Sequence, residues 1–138
     1  MKIIHICIMY CLIGTTISVA AEGDFLCVAG KSVGFEFNEN SKEWDYAHFN
    51  VADKKYLVKK QSNGWQWIRF GEVGTLGIQC SEMDQAGYII CHDGPRNLTL
   101  FPKSLRFQIV SPDGYIGGFA AIGVDGTPYI EIGTCSPL

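Results

Sequence analysis

Tyr56-Leu57-Val58-Lys59-Lys60-Gln61-Ser62-Asn63-Gly64-Trp65-Gln66-Trp67-Ile68-Arg69-Phe70 decides how this chain is read. Two runs of strand-forming residues flank Asn63-Gly64, a dipeptide that favours a tight type I′ turn. With Asn63-Gly64 as the loop, Ser62 faces Trp65, Lys60 faces Trp67, Val58 faces Arg69 and Leu57 faces Phe70. Side chains alternate along a strand, so the hairpin sorts its residues onto two faces. One face carries Leu57, Lys59, Gln66, Ile68 and Phe70. The other carries Tyr56, Val58, Lys60, Trp65, Trp67 and Arg69. A sequence with this alternation is a β-hairpin, and the same grammar extends in both directions.

The chain's 16 glycines are spread along its length. Between them lie short segments rich in Val, Ile, Phe, Tyr and Trp, and no long stretch keeps a helical repeat. Segments near 24–30, 33–38, 44–50, 54–61, 65–71, 75–81, 87–93, 98–110, 114–122 and 127–133 read as strands. The expected fold is all-β: a small single-domain antiparallel barrel or sandwich of about eight strands, stapled by two disulfides.

A second hairpin follows from the cysteines. With Cys80 opposite Cys91, Asp84 faces Gly87 and the turn falls at Gln85-Ala86. Leu76, Ile78, Cys80, Ile89 and Cys91 then share a core stripe. Cys27 is left for Cys135, which would tie the first strand to the last. Loop entropy does not choose the pairing. The 80–91 and 27–135 loops are worth about 2.8 and about 4.8 kcal/mol, against about 4 kcal/mol each for 27–80 with 91–135. Hairpin geometry favours the first set. One conflict attends it, because Ile130 and Ile132 share a face opposite that of Glu131 and Cys135. If the isoleucines point inward, Gly133 must bulge to bring Cys135 with them.

The chain begins with Lys2, an apolar run from Ile3 to Ile13, and small residues through Ala20 and Ala21. The run is too short to span a bilayer, which takes about 20 apolar residues, and it has the form of a secretory leader. Residues 1–21 read as a signal peptide, cleaved after Ala20 or Ala21, and 22–138 as one domain. No membrane span remains once the leader is removed. An exported protein, periplasmic or extracellular, has cysteines free to oxidise, and the even set Cys27, Cys80, Cys91 and Cys135 fits two disulfides.

Charge narrows the partners. The formal net charge is −3, and loss of Lys2 makes it more negative. A nucleic-acid binder normally carries a basic surplus, so no nucleic acid is expected. Zinc would want cysteines closer together, so no metal site is read. Nothing calls for a cofactor. Glu36, Glu39, Glu43 and Asp45 cluster around one turn without the spacing of a calcium loop. No catalytic residue is assigned, because His48 and His92 stand in no nucleophile–base–acid pattern.

The segment quoted first also holds the strongest binding feature. Trp65, Trp67, Arg69, Lys60 and Tyr56 form an aromatic–basic face able to stack on a glycan or anchor a protein partner. The same face is equally the expected core, with Leu57, Ile68 and Phe70 outward. Three functional expectations follow. The first is an exported, non-enzymatic binding protein, inhibitor-like or envelope-associated. The second is a barrel-type carrier of a small apolar ligand lined by Phe35, Phe37, Phe70, Ile78 and Phe119. The third is a small secreted hydrolase using His48 or His92.

Ser104-Leu105-Arg106-Phe107, Gly114-Tyr115 and the ending Pro128-Tyr129-Ile130-Glu131-Ile132-Gly133-Thr134-Cys135-Ser136-Pro137-Leu138 resemble the last third of uncharacterised small exported proteins of proteobacteria. That resemblance implies a periplasmic location and no activity. The small β-barrel lysozyme inhibitors of bacterial periplasms are similar in size, leader and cysteines, but their inhibitory motif is absent here.

Overall fold

The computed structural model describes residues 23–71, 77–113, 115 and 126–138, and within them every regular element is a strand. The strands are β1 (Phe25–Asn38), β2 (Glu43–Phe49), β3 (Lys55–Gln61), β4 (Gly64–Arg69), β5 (Ile78–Cys80), β6 (Ile89–Asp93), β7 (Arg96–Phe101), β8 (Arg106–Ser111) and β9 (Tyr129–Pro137). From β3 to β9 each strand pairs antiparallel with the next, and β1 pairs with both β3 and β9. The sheet therefore closes into an eight-stranded barrel, with β2 as an additional strand on β1. Closure removes the exposed edges that an open sheet would leave.

The first segment forms the β3–β4 hairpin with the two faces expected and a different turn. Lys60 pairs with Trp65, Val58 with Trp67 and Tyr56 with Arg69, so Gln61 meets Gly64 and the loop is Ser62-Asn63. The register is two residues from that of an Asn63-Gly64 loop, and a shift of two leaves every side chain on its own face. Gly64 serves a different need. Its φ is +122°, and a Cβ there would lie 2.6 Å from the Cys80 carbonyl oxygen. Glycine lets β4 begin against the chain leaving β5.

The second hairpin matches its expectation closely. Cys80 pairs with Cys91, Asp84 closes the turn by accepting from the Gly87 N–H at 2.9 Å, and Gly87 has φ +91°. Leu76 lies outside the described residues. Both disulfides form as expected, Cys80–Cys91 and Cys27–Cys135, the second joining β1 to β9. The segment 98–110 is two strands rather than one. Pro102, which has no N–H for a ladder, opens a turn whose Leu105 N–H reaches the Pro102 carbonyl, with φ +55° at Leu105. Most of the 114–122 strand, with Phe119, lies outside the described residues.

The last strand resolves the conflict in the opposite sense. Glu131 and Cys135 face the interior, and Ile130 and Ile132 are each 49% exposed on the outside. No bulge occurs at Gly133. The irregularity sits on β1, where the pairing with β9 slips between Ala29 and Lys31. The extra residue changes which side chains point inward: Phe25, Cys27 and Ala29 before it, Ser32 after it. Gly133 is required by packing, since a Cβ would stand 2.2 Å from the Val28 oxygen and 2.5 Å from the Phe107 ring.

The interior is filled. Phe25, Val58, Trp65, Trp67, Ile89 and Leu100 are essentially inaccessible to solvent, each contributing about 1.5–3 kcal/mol by burial. Their rings interlock, with Trp65 5.6 Å from Phe25 and Trp67 5.5 Å from Phe107.

Candidate functional site

The face of Tyr56, Trp65 and Trp67 is the core, and the set of five candidate residues divides along the barrel axis. Lys60 sits at one end, exposed, its ammonium 4.6 Å above the Trp65 ring. Trp65 is buried beside it. Tyr56, Trp67 and Arg69 converge at the opposite end, where they line a pocket of about 360 Å³. That end is where β3, β5, β7 and β9 begin and β4, β6 and β8 finish. Each of those strands supplies a wall residue, and Trp67, Ile78, Leu98, Ile109 and Tyr129 make the apolar part.

Two of the polar wall residues, Lys54 and Tyr56, are held by Glu131. This carboxylate is wholly buried, yet both oxygens are engaged. The Tyr56 hydroxyl donates to Oε1 at 2.5 Å, and Lys54 Nζ donates to Oε2 at 2.8 Å. Lys54 also lies 5.2 Å from the centre of the Tyr129 ring. A carboxylate placed in a barrel interior is tolerable only when paired in this way. Burial, followed by the hydrogen bond to Glu131 and its charge, pushes the Tyr56 phenol far above the usual tyrosine range, while the charge of Arg69 pulls the other way. Across the pocket, the Arg96 guanidinium pairs with Asp93. Lys54, Arg69 and Arg96 line the pocket in a protein that is acidic as a whole, and Lys54 and Arg96 are engaged with Glu131 and Asp93.

One donor in this wall is left over. The indole Nε1 of Trp67 is buried with no hydrogen-bond partner, as are Nε1 of Trp65 and Oγ of Ser32. Ser32 pairs across the sheet with Glu131. Buried polar atoms are nearly always satisfied, so the Trp67 N–H is an unmet donor on a residue that lines the pocket.

Lys54, Asp93, Arg96, Tyr129 and Glu131 were not singled out in the sequence. The signal for Glu131 was present, since it shares a face with Cys135 and a Cys27–Cys135 bond carries both inward. Of the residues expected to line an apolar cavity, Phe119 lies outside the described residues, and Phe35, Phe37 and Phe70 do not join Ile78 in the pocket. Phe35 and Phe70 are 49% and 58% exposed, and Phe37 lies on the β1–β2 ribbon rather than in the barrel. His48 bonds to the hydroxyl of Tyr46 at 3.1 Å, and His92 is exposed on β6. Among the described residues no group of His, Cys, Asp and Glu is arranged to hold a metal ion, and no helix is long and apolar enough to cross a membrane.

No known protein family matches this chain, and neither does any curated protein or solved structure.

Proposed function

We propose that the protein is an exported, non-enzymatic binding protein that receives an anionic, acceptor-rich group of its partner at the Tyr56–Trp67–Arg69 end of the barrel. A carboxylate on a glycan or on a protein is the group that fits. The carrying observation is that Trp67, whose Nε1 has no partner, lines a pocket together with the cationic side chains of Lys54, Arg69 and Arg96. A carboxylate oxygen there would accept from the indole and remain close to Arg69 and Arg96. Aromatic walls provide the apolar contact that small-ligand sites combine with a few placed polar groups. The two disulfides are compatible with an oxidising, exported location.

Trp67→Phe tests this reading, because it keeps the ring and deletes only the N–H. Heat of binding is followed by isothermal titration calorimetry, for the protein and the variant alike, during titration with glucuronate, succinate and neutral glucose. The expectation is saturable binding of the acids alone, weakened about tenfold by Trp67→Phe, the loss of one hydrogen bond to a charged acceptor. Equal responses to glucose and glucuronate, or none to either acid, would overturn it.

A further inference from the structure

Past the rim of the barrel, β1 and β2 continue as a two-stranded ribbon. Gly34 pairs with Tyr129, the first residue of β9, and the ribbon extends beyond it to Asn38 and Glu43. Its outer face is a set of cross-strand aromatic pairs. Phe35 lies opposite Tyr46 and Phe37 opposite Trp44, with Val33 opposite His48. Tyr46 is 62% exposed and Phe35 49%. The rings are nonetheless ordered among themselves: Phe37 and Trp44 are 5.4 Å apart, Tyr115 adds an edge contact to Trp44 at 5.9 Å, and Tyr46 contacts His48 at 4.9 Å.

Among the described residues β2 is also the open edge of the sheet. The Phe35 N–H donates to Pro128 on the β9 side at 3.0 Å, so it does not bond β2. Its cross-strand partner Tyr46 therefore sits in a non-hydrogen-bonded pair. By the antiparallel alternation, the main-chain groups of Trp44, Tyr46 and His48 point away from β1. The strand has no proline or lysine to discourage pairing.

The ribbon's charge names the partner. Glu36 and Asp45 stand directly opposite each other, an unfavourable placement of like charges. Glu43 lies one pair further on, and the ribbon's one cation, Lys42, is already bound to Glu39 at 2.7 Å.

The geometry points to the free edge of β2 as a docking site for an extended, basic segment of a partner protein, which adds a strand beside Trp44, Tyr46 and His48. Main-chain bonds supply the register. Lys or Arg side chains of the partner lie over the exposed rings on one face and beside Glu43 and Asp45 on the other. This surface is separate from the pocket, and the inference does not rest on it.

The test uses an alternating Lys-Val peptide of about eight residues and its Glu-Val counterpart, added to isotope-labelled protein. Expected are amide shifts concentrated in Glu43–Phe49 with the basic peptide only, and binding at least about tenfold weaker in roughly 0.5 M than in roughly 0.05 M salt. Glu36→Gln with Glu43→Gln, both exposed, should weaken binding by a similar factor. His48→Pro removes one outward N–H and should abolish it. Equal binding of the acidic peptide, shifts lying elsewhere, or concentration-dependent self-association through β2 in place of peptide binding would overturn the proposal.

Discussion

Glu131 shows how one residue can set the chemistry of a barrel end. It is the most deeply buried charge among the described residues, and its two partners, Lys54 just before β3 and Tyr56 within it, lie more than seventy residues earlier in the chain. Removing one member of such a network strands the others. Glu131→Ala should therefore cost about 3 kcal/mol in urea unfolding, and replacing Lys54, Tyr56 and Glu131 together by Met, Phe and Leu should recover most of that loss. Tyr56 adds a pH signature. Its folded-state value lies above its ordinary value near 10, so the protonated phenol is the form the fold favours. Its contribution is complete below about pH 10 and is lost as the pH rises further. Alkaline unfolding should accordingly begin above that range. Tyr56→Phe should flatten the decline while lowering stability at neutral pH by about 1.5 kcal/mol, the loss of a hydrogen bond to a charged group.

At the scale of single elements, β1 accomplishes most. Its first half closes the barrel against β3 and β9, and its second half leaves the barrel with β2. The change of inward set between Ala29 and Ser32 gives the ribbon an acidic face continuing the barrel interior and an aromatic face continuing its exterior. β9 accepts this long neighbour only because Gly133 has no side chain. Gly133→Ala should destabilise by about 3 kcal/mol, as overpacking against backbone does, and the same measurement on Gly71→Ala separates the two causes that glycines serve. At Gly71 there is open space but φ is +87°, so only the smaller conformational cost of about 1 kcal/mol is expected.

For the whole molecule, the disulfides act at different lengths. Cys27–Cys135 closes a loop of 108 residues and Cys80–Cys91 one of 11. In chain-entropy terms the first is worth about 2 kcal/mol more. Replacing Cys27 and Cys135 by Ser should shift the urea midpoint further than replacing Cys80 and Cys91. Equal shifts would mean that local packing, not chain closure, governs both.

Alternation within Tyr56–Phe70 was enough to sort its side chains correctly, even though the turn lies one residue earlier than Asn63-Gly64. A register error of two is invisible to a period of two. The cysteine pairing was legible for the same reason, because Cys80 and Cys91 sit at matching positions on a hairpin. Alternation could not say which set faces inward. Trp65 and Trp67 share their set with Lys60 and Arg69, and Glu131 shares its set with Cys135, so composition favoured neither side. Closure decided it. Once β9 returns to β1, the inward set loses all solvent except at the two ends of the barrel. Lys60 and Arg69 keep their charges in water by standing at those ends, and Glu131 survives between them by pairing. The amino-acid sequence by itself determined the all-β class, the two disulfides and the partition of side chains within the hairpins. Only the tertiary structure assigned inside and outside, because that assignment depends on contacts between residues at opposite ends of the chain.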